Sequence, residues 1–278
     1  MMTDPHTIDL PDGRPLVVHD SAPGAQERSV PVVVWHHGSP QSGALLAPVL
    51  AAAEARGLRV LSPARPGYGG SPRVPGRSVA DAAADVAHAL DALGVTRCVA
   101  VGASGGGPHA LALAAVRPEL VTGVVTLAGI APYDGTETWF TGMADDGGLR
   151  AALDGPAARE RYAETAEFEP SSFTDGDYAV LAGAWADLGD DAARAGREWP
   201  GGLVDDDLAF VRPWGVALAD VSAPTLVVQG GADRVVPRHH GERLLAGPPA
   251  GELWLRPRDG HIGVLAALPV ALDRLRAA

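Results

Sequence analysis

The fold class follows from the stretch RCVAVGASGGG, which runs from Arg97 to Gly107. Its first half, Arg97 to Val101, is largely apolar without alternation, which is typical of a strand buried on both faces of a parallel sheet. A helix is predicted shortly after the glycines, from His109 to Val116. A buried strand that leads through a glycine-rich turn into a helix indicates an α/β protein.

The same alternation extends in both directions from this stretch. A β-hairpin is predicted near the start of the chain, where Asp12-Gly13 forms a turn between strands at 6–10 and 16–20. Ser78 and Asp81 are predicted to cap a helix that ends at Gly94. The further predicted strands are 30–35, 58–61, 121–127, 223–229 and 252–255, and the further helices are 44–56, 238–245 and 262–275.

The alternation breaks at about Ala131 and resumes near Asp220. The residues between are polar and Gly-rich, contain four of the six tryptophans, and include helical pieces such as 157–167 and 178–188. We therefore predict an α/β core of residues 1–130 and 216–278, interrupted by a helical insertion of residues 131–215.

Composition excludes several classes of function. The chain has 22 basic and 34 acidic residues, a net charge of −12, and every basic residue is arginine. An acidic surface repels phosphate and anionic lipid, so we expect no nucleic-acid or membrane partner, and the lack of lysine removes Schiff-base chemistry. The single cysteine, Cys98, excludes an intramolecular disulfide and a Cys-rich metal site. Met1 to His6 lack a secretory pattern and no apolar run reaches about 18 residues, so a soluble cytoplasmic protein is expected.

Ser104 is the candidate nucleophile. It lies at the centre of Gly102-Ala103-Ser104-Gly105-Gly106, a G-x-S-x-G pattern between the predicted strand and helix. The glycines permit a tight, strained turn that presents the Ser104 hydroxyl at the carboxyl edge of the sheet, where the helix N-terminus favours a developing oxyanion. The alternative is a glycine-rich turn with an incidental serine, and the strand-turn-helix context favours the nucleophile.

Two further candidates follow later predicted strands. Asp233 comes after the strand at 223–229, where a carboxylate could orient an imidazole and stabilise its cation. His261 comes after the last strand and could act as the general base, with a surface histidine as the alternative. Asp134 and Asp259 are rival candidates for the acid.

A second loop supplies candidate oxyanion donors. His36-His37-Gly38-Ser39-Pro40 follows the strand at 30–35, where a backbone N–H could face Ser104. Because Pro40 has no N–H, the predicted donors are the N–H groups of Ser39 and Gly105. On an extended chain His36 points away from His37, which favours a structural role for His36.

Together these motifs resemble the α/β-hydrolase superfamily over nearly the whole chain. The order Ser, Asp, His is that of the family's catalytic triad. The resemblance implies an eight-stranded sheet, a helical cap inserted after the sixth strand, and no metal or organic cofactor. It is strongest to the capped branch that includes proline iminopeptidases, small esterases, lactonases and C–C bond hydrolases. The matching segments are HGSP at 37–40, RPGYGGS at 65–71, GASGG at 102–106, GADRVVP at 231–237 and DGH at 259–261.

Departures from the family pattern reduce the number of family activities that fit this sequence. Ser104 argues against the epoxide hydrolases and haloalkane dehalogenases, which have aspartate at this position. Ala64 stands where the family loop often has an aspartate, so a frequent ion pair is absent. Ser39-Pro40-Gln41 departs from the His-Gly-Gly-Pro-Gly of iminopeptidases and weakens that assignment.

The insertion offers candidates for substrate binding. Aromatic walls are usual in ligand pockets, which makes Trp139, Trp185 and Trp214 candidates, with packing in a small core of the insertion as the alternative. A substrate ammonium could be bound by acidic residues of the insertion, with a solvated helix face as the alternative: Glu164, Glu167 and Glu169. The run of aspartates at 205–207 is expected to be a solvated turn or helix start.

The sequence thus predicts a serine hydrolase that cleaves a small-molecule ester, lactone or amide through an acyl-enzyme on Ser104. One alternative is an aminopeptidase of the proline iminopeptidase type, and another is a non-catalytic relative that binds a small ligand. The predicted partner is a small-molecule substrate, and the chain is expected to be a monomer or a homodimer.

Overall fold

A computed structural model describes residues 5–23 and 31–276. The N-terminal residues 1–4 and the predicted strand start at Val30 lie outside the described residues. Eight strands form one sheet in the order β1-β2-β4-β3-β5-β6-β7-β8. The strands are β1 (His6–Asp9), β2 (Pro15–Asp20), β3 (Val32–His36), β4 (Arg59–Pro63), β5 (Cys98–Ala103), β6 (Val121–Leu127), β7 (Thr225–Gly230) and β8 (Gly251–Arg256).

The sheet is mostly parallel. The predicted hairpin of β1 and β2 is antiparallel and pairs with β4, while β4, β3, β5, β6, β7 and β8 run parallel to one another. The ends of the central strands are level, since Ala103 pairs with Leu127 and Leu127 with Val228. The predicted fold class is therefore confirmed, and the loops after these strands meet at one edge.

Ten helices are described: α1 (Ala47–Glu54), α2 (Val79–Ala92), α3 (Gly106–Val116), α4 (Gly147–Leu153), α5 (Pro156–Ala163), α6 (Asp175–Leu181), α7 (Ala186–Glu198), α8 (Pro200–Phe210), α9 (His239–Leu245) and α10 (Leu268–Arg276). One face of the sheet packs on α2, α3 and α9 through residues such as Leu90, Leu111 and Leu244. The opposite face packs on α1 and α10 through Val49 and Leu272. Helices therefore cover both faces.

Local sequence explains where helices begin and end. Ser78 and Asp81 form the predicted capping box of α2 through reciprocal hydrogen bonds. The predicted helix at 178–188 is instead two helices, α6 and α7, because the chain turns at Gly183, whose residue type disfavours a helix interior. The predicted helix at 262–275 begins as a 3₁₀ turn at Gly263–Ala267, and α10 starts just before Pro269, which suits a first turn.

The helices α4 to α8 all lie between β6 and β7, where the sequence pattern breaks. The division into a core of 1–130 and 216–278 and an insertion of 131–215 stays a prediction. Within the described part of the chain, no helix is both long and apolar enough to span a bilayer.

Cys98 occupies the first position of β5, the strand that leads to Ser104. Its side chain is buried in the core on the α2–α3 face. Burial raises the pKa of the Cys98 thiol to about 12. The side chain therefore packs as a small apolar group.

Candidate active site

Ser104 lies on a sharp turn between β5 and α3. Its backbone has a φ of +51°, a left-handed conformation that is uncommon for a residue other than glycine. The Ser104 N–H donates to the Leu127 carbonyl at 2.8 Å. A β-carbon on Gly102 would overlap the Gly106 backbone, and one on Gly106 would overlap the His36 carbonyl. Both glycines are therefore needed for the turn that the G-x-S-x-G pattern predicts.

The Ser104 hydroxyl contacts the imidazole of His261. His261 Nε2 lies 2.9 Å from Ser104 Oγ, and His261 Nδ1 lies 2.8 Å from Asp233 Oδ2. The other Asp233 oxygen accepts the N–H groups of Val235 and Val236, each at 2.9 Å. Asp233 follows β7 and His261 follows β8, so the parallel strands bring together three side chains that are far apart in the sequence. This is the arrangement in which an aspartate orients a histidine toward a serine nucleophile.

The imidazole of His261 is buried beside two carboxylates. Burial alone lowers its pKa, but the Coulombic attraction and hydrogen bond of Asp233, together with the negative charge of Asp177, raise the pKa above its ordinary value. Because the Asp233 carboxylate accepts a hydrogen bond, Nδ1 of the neutral ring carries the proton. Nε2 is then free of a proton and can accept one from the Ser104 hydroxyl.

The two rival acids have other partners. Asp134 hydrogen-bonds the N–H and hydroxyl of Thr136 and pairs with Arg243. Asp259 pairs with Arg256. Geometry therefore favours Asp233 as the acid, although its catalytic role stays a prediction.

The predicted oxyanion donors are neighbours in space. A β-carbon on Gly105 would overlap the Ser39 hydroxyl and lie 3.0 Å from the ring of Phe210. Within the described residues, the N–H groups of Ser39 and Gly105 donate no hydrogen bond to another group. Gly105 also precedes α3, whose N-terminus favours negative charge. The two N–H groups are thus available to a developing oxyanion.

Comparison with known proteins identifies the family. A sequence profile described as alpha/beta hydrolase fold matches residues 31–267. The chain belongs to the α/β-hydrolase family. The chain is 31% identical over 259 residues to a 2-hydroxy-6-oxo-6-phenylhexa-2,4-dienoate hydrolase of Burkholderia cepacia, with 83% of this chain and 80% of that protein covered.

A second relative agrees with this assignment, and a solved structure shares the fold. The chain is 29% identical over 245 residues to a 2-hydroxy-6-oxononadienedioate/2-hydroxy-6-oxononatrienedioate hydrolase of Comamonas testosteroni, with 83% of this chain and 80% of the relative covered. The structure of a bromoperoxidase from Bacillus anthracis superposes with a TM-score of 0.75 at 22% identity, covering 99% of this chain and 100% of that one. This α/β hydrolase is therefore an enzyme of the hydrolase superfamily.

The expectation for the aspartates at 205–207 was wrong. All three are buried in α8 of this α/β hydrolase. Each is paired with arginine: Asp205 with Arg73 at 2.9 Å, Asp207 with Arg159 at 2.7 Å, and Asp206 with two arginines described next. Three consecutive aspartates predict a solvent-exposed segment. Here arginines that are distant in the sequence pair with them and offset part of the free-energy cost of burying their charges.

Asp206 is the centre of a buried polar network beside the loop at 36–40. Its carboxylate accepts hydrogen bonds from the Ser39 hydroxyl, from Arg77, from Arg65 Nη2 at 2.8 Å and from the Tyr68 hydroxyl at 3.0 Å. Arg65 Nη2 also donates to Ser39 Oγ at 2.9 Å. Burial opposes ionisation of Asp206, but Arg65 and Arg77 hold its pKa well below the usual range. The sequence analysis did not predict this role of Asp206. The one signal was Ala64, which leaves Arg65 without an acidic neighbour in the sequence and so in need of a distant partner.

Neighbouring groups hold the same loop. His37 Nε2 accepts the Arg65 N–H at 3.1 Å, which leaves His37 Nδ1 to donate to the Gly38 carbonyl at 2.7 Å. Burial and the adjacent Arg65 hold the pKa of His37 well below its ordinary value, so the ring is neutral. Asp191 of α7 accepts the Ser42 N–H at 2.9 Å and its hydroxyl at 2.5 Å. The segment from His37 to Ser42 is therefore held at several points, two of them on α7 and α8.

The three candidate tryptophans are buried in different places. Trp139 is fully buried, and its indole N–H donates to the carbonyls of Ala131 and Pro132, both at 3.1 Å. Trp185 packs in the apolar cluster on the α1–α10 face. Trp214 lines an open pocket of about 830 Å³ whose lining residues, 132–133, 211–218 and 220, include none of the triad. Substrate contact by these side chains stays a prediction.

Among residues 5–23 and 31–276, no cluster of three or more His, Cys, Asp or Glu side chains is arranged to hold a metal ion.

Proposed function

We propose that this α/β hydrolase is a serine hydrolase that cleaves a small-molecule ester, lactone or amide through an acyl-enzyme on Ser104. The observation that carries the proposal is the pair of contacts at His261, 2.9 Å to Ser104 Oγ and 2.8 Å to Asp233 Oδ2. These distances suit proton transfer from the hydroxyl and orientation of the ring by the carboxylate.

The reaction divides into two acyl transfers. His261 Nε2 accepts the Ser104 proton as Oγ bonds to the substrate carbonyl carbon, and the N–H groups of Ser39 and Gly105 stabilise the oxyanion. The bond to the leaving oxygen or nitrogen then breaks, and His261 gives its proton to the leaving group. Water, activated by His261, attacks the acyl-enzyme and releases the acid while the proton returns to Ser104. Asp233 stabilises the imidazolium at both stages.

C–C bond hydrolysis is the second candidate. The relatives from Burkholderia cepacia and Comamonas testosteroni, at 31% and 29% identity, are named as hydrolases of 2-hydroxy-6-oxo dienoate-type acids. A 6-oxo group is a ketone carbonyl that Ser104, or a water activated by His261, could attack. The leaving group is then a carbon, which must receive a proton for the bond to break.

Two measurements test the proposal. A fluorophosphonate probe should label the purified protein at Ser104, detected by intact mass and peptide mapping, and should fail to label Ser104→Ala. A series of p-nitrophenyl esters of increasing acyl length, an aminoacyl arylamide and 2-hydroxy-6-oxo-6-phenylhexa-2,4-dienoate should then be compared by kcat/KM. Ester turnover that is lost in Ser104→Ala supports the first proposal, and higher kcat/KM on the dienoate supports the second.

Failure of the labelling, with no turnover of the esters or the arylamide, would sink the acyl-enzyme proposal. Turnover of the dienoate without labelling would leave C–C hydrolysis by an activated water, and no turnover at all would make the protein a ligand-binding relative. The aminopeptidase alternative requires labelling at Ser104 and turnover of the arylamide alone.

A further inference from the structure

Asp177 joins the insertion to the loop that carries His261. It lies at the start of α6 and is fully buried. One carboxylate oxygen accepts the N–H of Ile262 at 2.8 Å and the N–H of Gly263 at 2.7 Å. The other accepts the N–H and hydroxyl of Thr174 at 2.9 and 2.8 Å, which caps α6. One side chain therefore fixes both the helix and the two residues after His261.

The residue before His261 also abuts Asp177. A β-carbon on Gly260 would overlap the Asp177 carboxylate, so only glycine allows this approach. The Phe173 ring, four residues before Asp177, lies nearly parallel to the imidazole, with ring centroids 6.5 Å apart and planes 10° apart. The segment from Phe173 to Asp177 thus packs on His261 and on its chain neighbours to either side.

The charged groups that face His261 come from two elements. Asp233, after β7, bonds directly to the imidazole, while Asp177 faces it from the insertion without touching the ring. Ser104, on the turn after β5, and Phe173 are the neutral neighbours of the imidazole. Both carboxylates therefore stabilise the imidazolium. Asp177 does so by its charge alone, and it also holds the backbone that follows His261.

We propose that Asp177 is a positioning residue for His261. By holding the N–H groups of Ile262 and Gly263, it places the imidazole between Ser104 and Asp233. The inference rests on the proposed function, because the positioning serves the proton transfers assigned to His261. A displacement of about 1 Å in such a group can lower a rate by about a hundredfold.

The test compares three variants with the wild type. Asp177→Asn keeps the size of the side chain but removes its charge and puts N–H donors where acceptors are needed. Thr174→Ala removes the helix cap while leaving the bonds to Ile262 and Gly263, so it controls for destabilisation of α6. Asp175→Asn, at an exposed position in the same turn, controls for the loss of one negative charge. Turnover of a p-nitrophenyl ester and the His261 ring resonance in NMR are each followed against pH.

We expect Asp177→Asn to lower kcat by about ten- to a hundredfold with little change in KM. The titration midpoint of His261 should fall, since loss of a nearby negative charge disfavours the imidazolium. Thr174→Ala and Asp175→Asn should keep the wild-type kcat and midpoint. If Asp177→Asn does not yield folded protein, Asp177→Ser is measured in its place with the same expectations.

Either of two results overturns the proposal. One is a wild-type kcat and midpoint in the Asp177 variant, and the other is an equal loss of kcat in Thr174→Ala. Absence of labelling and turnover in the wild type would instead overturn the proposed function. The NMR titration of the His261 ring distinguishes failure of the positioning proposal from failure of the proposed function, because it does not require turnover.

Discussion

The carboxylate of Asp206, in α8, accepts a hydrogen bond from the hydroxyl of Ser39, 167 positions earlier in the chain. The Ser39 backbone N–H is a proposed oxyanion donor, so α8 takes part in holding that donor. Arg65 and Arg77 neutralise the same carboxylate, and all three charged groups are buried. The loop at 36–40 and α8 are therefore joined by one buried ionic network.

Removal of Asp206 should destabilise the fold strongly. Asp206→Ala leaves two buried arginines without their carboxylate, so the free energy of unfolding should fall by about 3–5 kcal/mol. Urea denaturation followed by circular dichroism measures this loss. Asp205→Ala is the matched control, since its partner Arg73 is partly exposed and solvent takes over part of that pair. Equal losses in the two variants would contradict the central role of Asp206.

The pH dependence of kcat/KM should report His261. Only the neutral imidazole can accept the Ser104 proton, so activity should be lost as pH falls through the pKa of His261 in the free enzyme. Because Asp233 and Asp177 outweigh burial, the midpoint should lie above the ordinary histidine value of 6.5. Initial rates of ester hydrolysis from pH 5 to 9 measure it. A rate that is flat with pH, with chemistry limiting, would argue against a histidine base.

Substitution of Asp233 should act on kcat far more than on KM. Asp233→Asn removes the charge that stabilises the imidazolium only as the tetrahedral intermediate forms, so the loss belongs to the chemical step. The same change in a serine-protease triad lowers kcat by about 10⁴, and a loss of about 10²–10⁴ is expected here. Asp134→Asn is the control, because Asp134 is bound to Arg243 away from the imidazole. A reversal of the two effects would reassign the acid to Asp134.

A methyl group at position 105 should damage the oxyanion site. In Gly105→Ala the new carbon overlaps the Ser39 hydroxyl and crowds Phe210, which pushes the two N–H donors apart. Loss of one such donor lowers kcat by about 10²–10³, and we expect a decrease of this order. Gly189→Ala in α7 is the control, since its nearest neighbour would be 3.7 Å away, and it should keep full activity. Stopped-flow acylation rates for both variants would distinguish a chemical effect from a folding effect.

Much of the fold and the proposed triad could be predicted because their signals are local. The G-x-S-x-G turn needs glycines at positions 102 and 106 because a side chain at either would overlap the backbone. Those two glycines can be read directly from the sequence. Asp233 and His261 each follow a buried parallel strand, and such strands end at one edge, so the order of the motifs was enough to predict that they meet near Ser104.

The parts that escaped prediction depend on distant partners. Asp205 and Asp206 looked solvated because their arginines, Arg73 and Arg65, lie 132 and 141 positions away. The role of Asp177 was equally hidden, since its acceptor oxygen meets backbone N–H groups 85 and 86 positions later. Backbone donors carry no residue signature, so no pattern in the sequence could indicate that contact.

The buried thiol of Cys98 makes this enzyme convenient for fluorescence spectroscopy. Because the Cys98 side chain is 2% exposed and its thiol has a pKa of about 12, it should not react with maleimide dyes at neutral pH. A cysteine introduced on the exposed side of α6, at Asp175, could then carry a single reporter without a cysteine-free background. Its emission would report the surroundings of that helix during turnover.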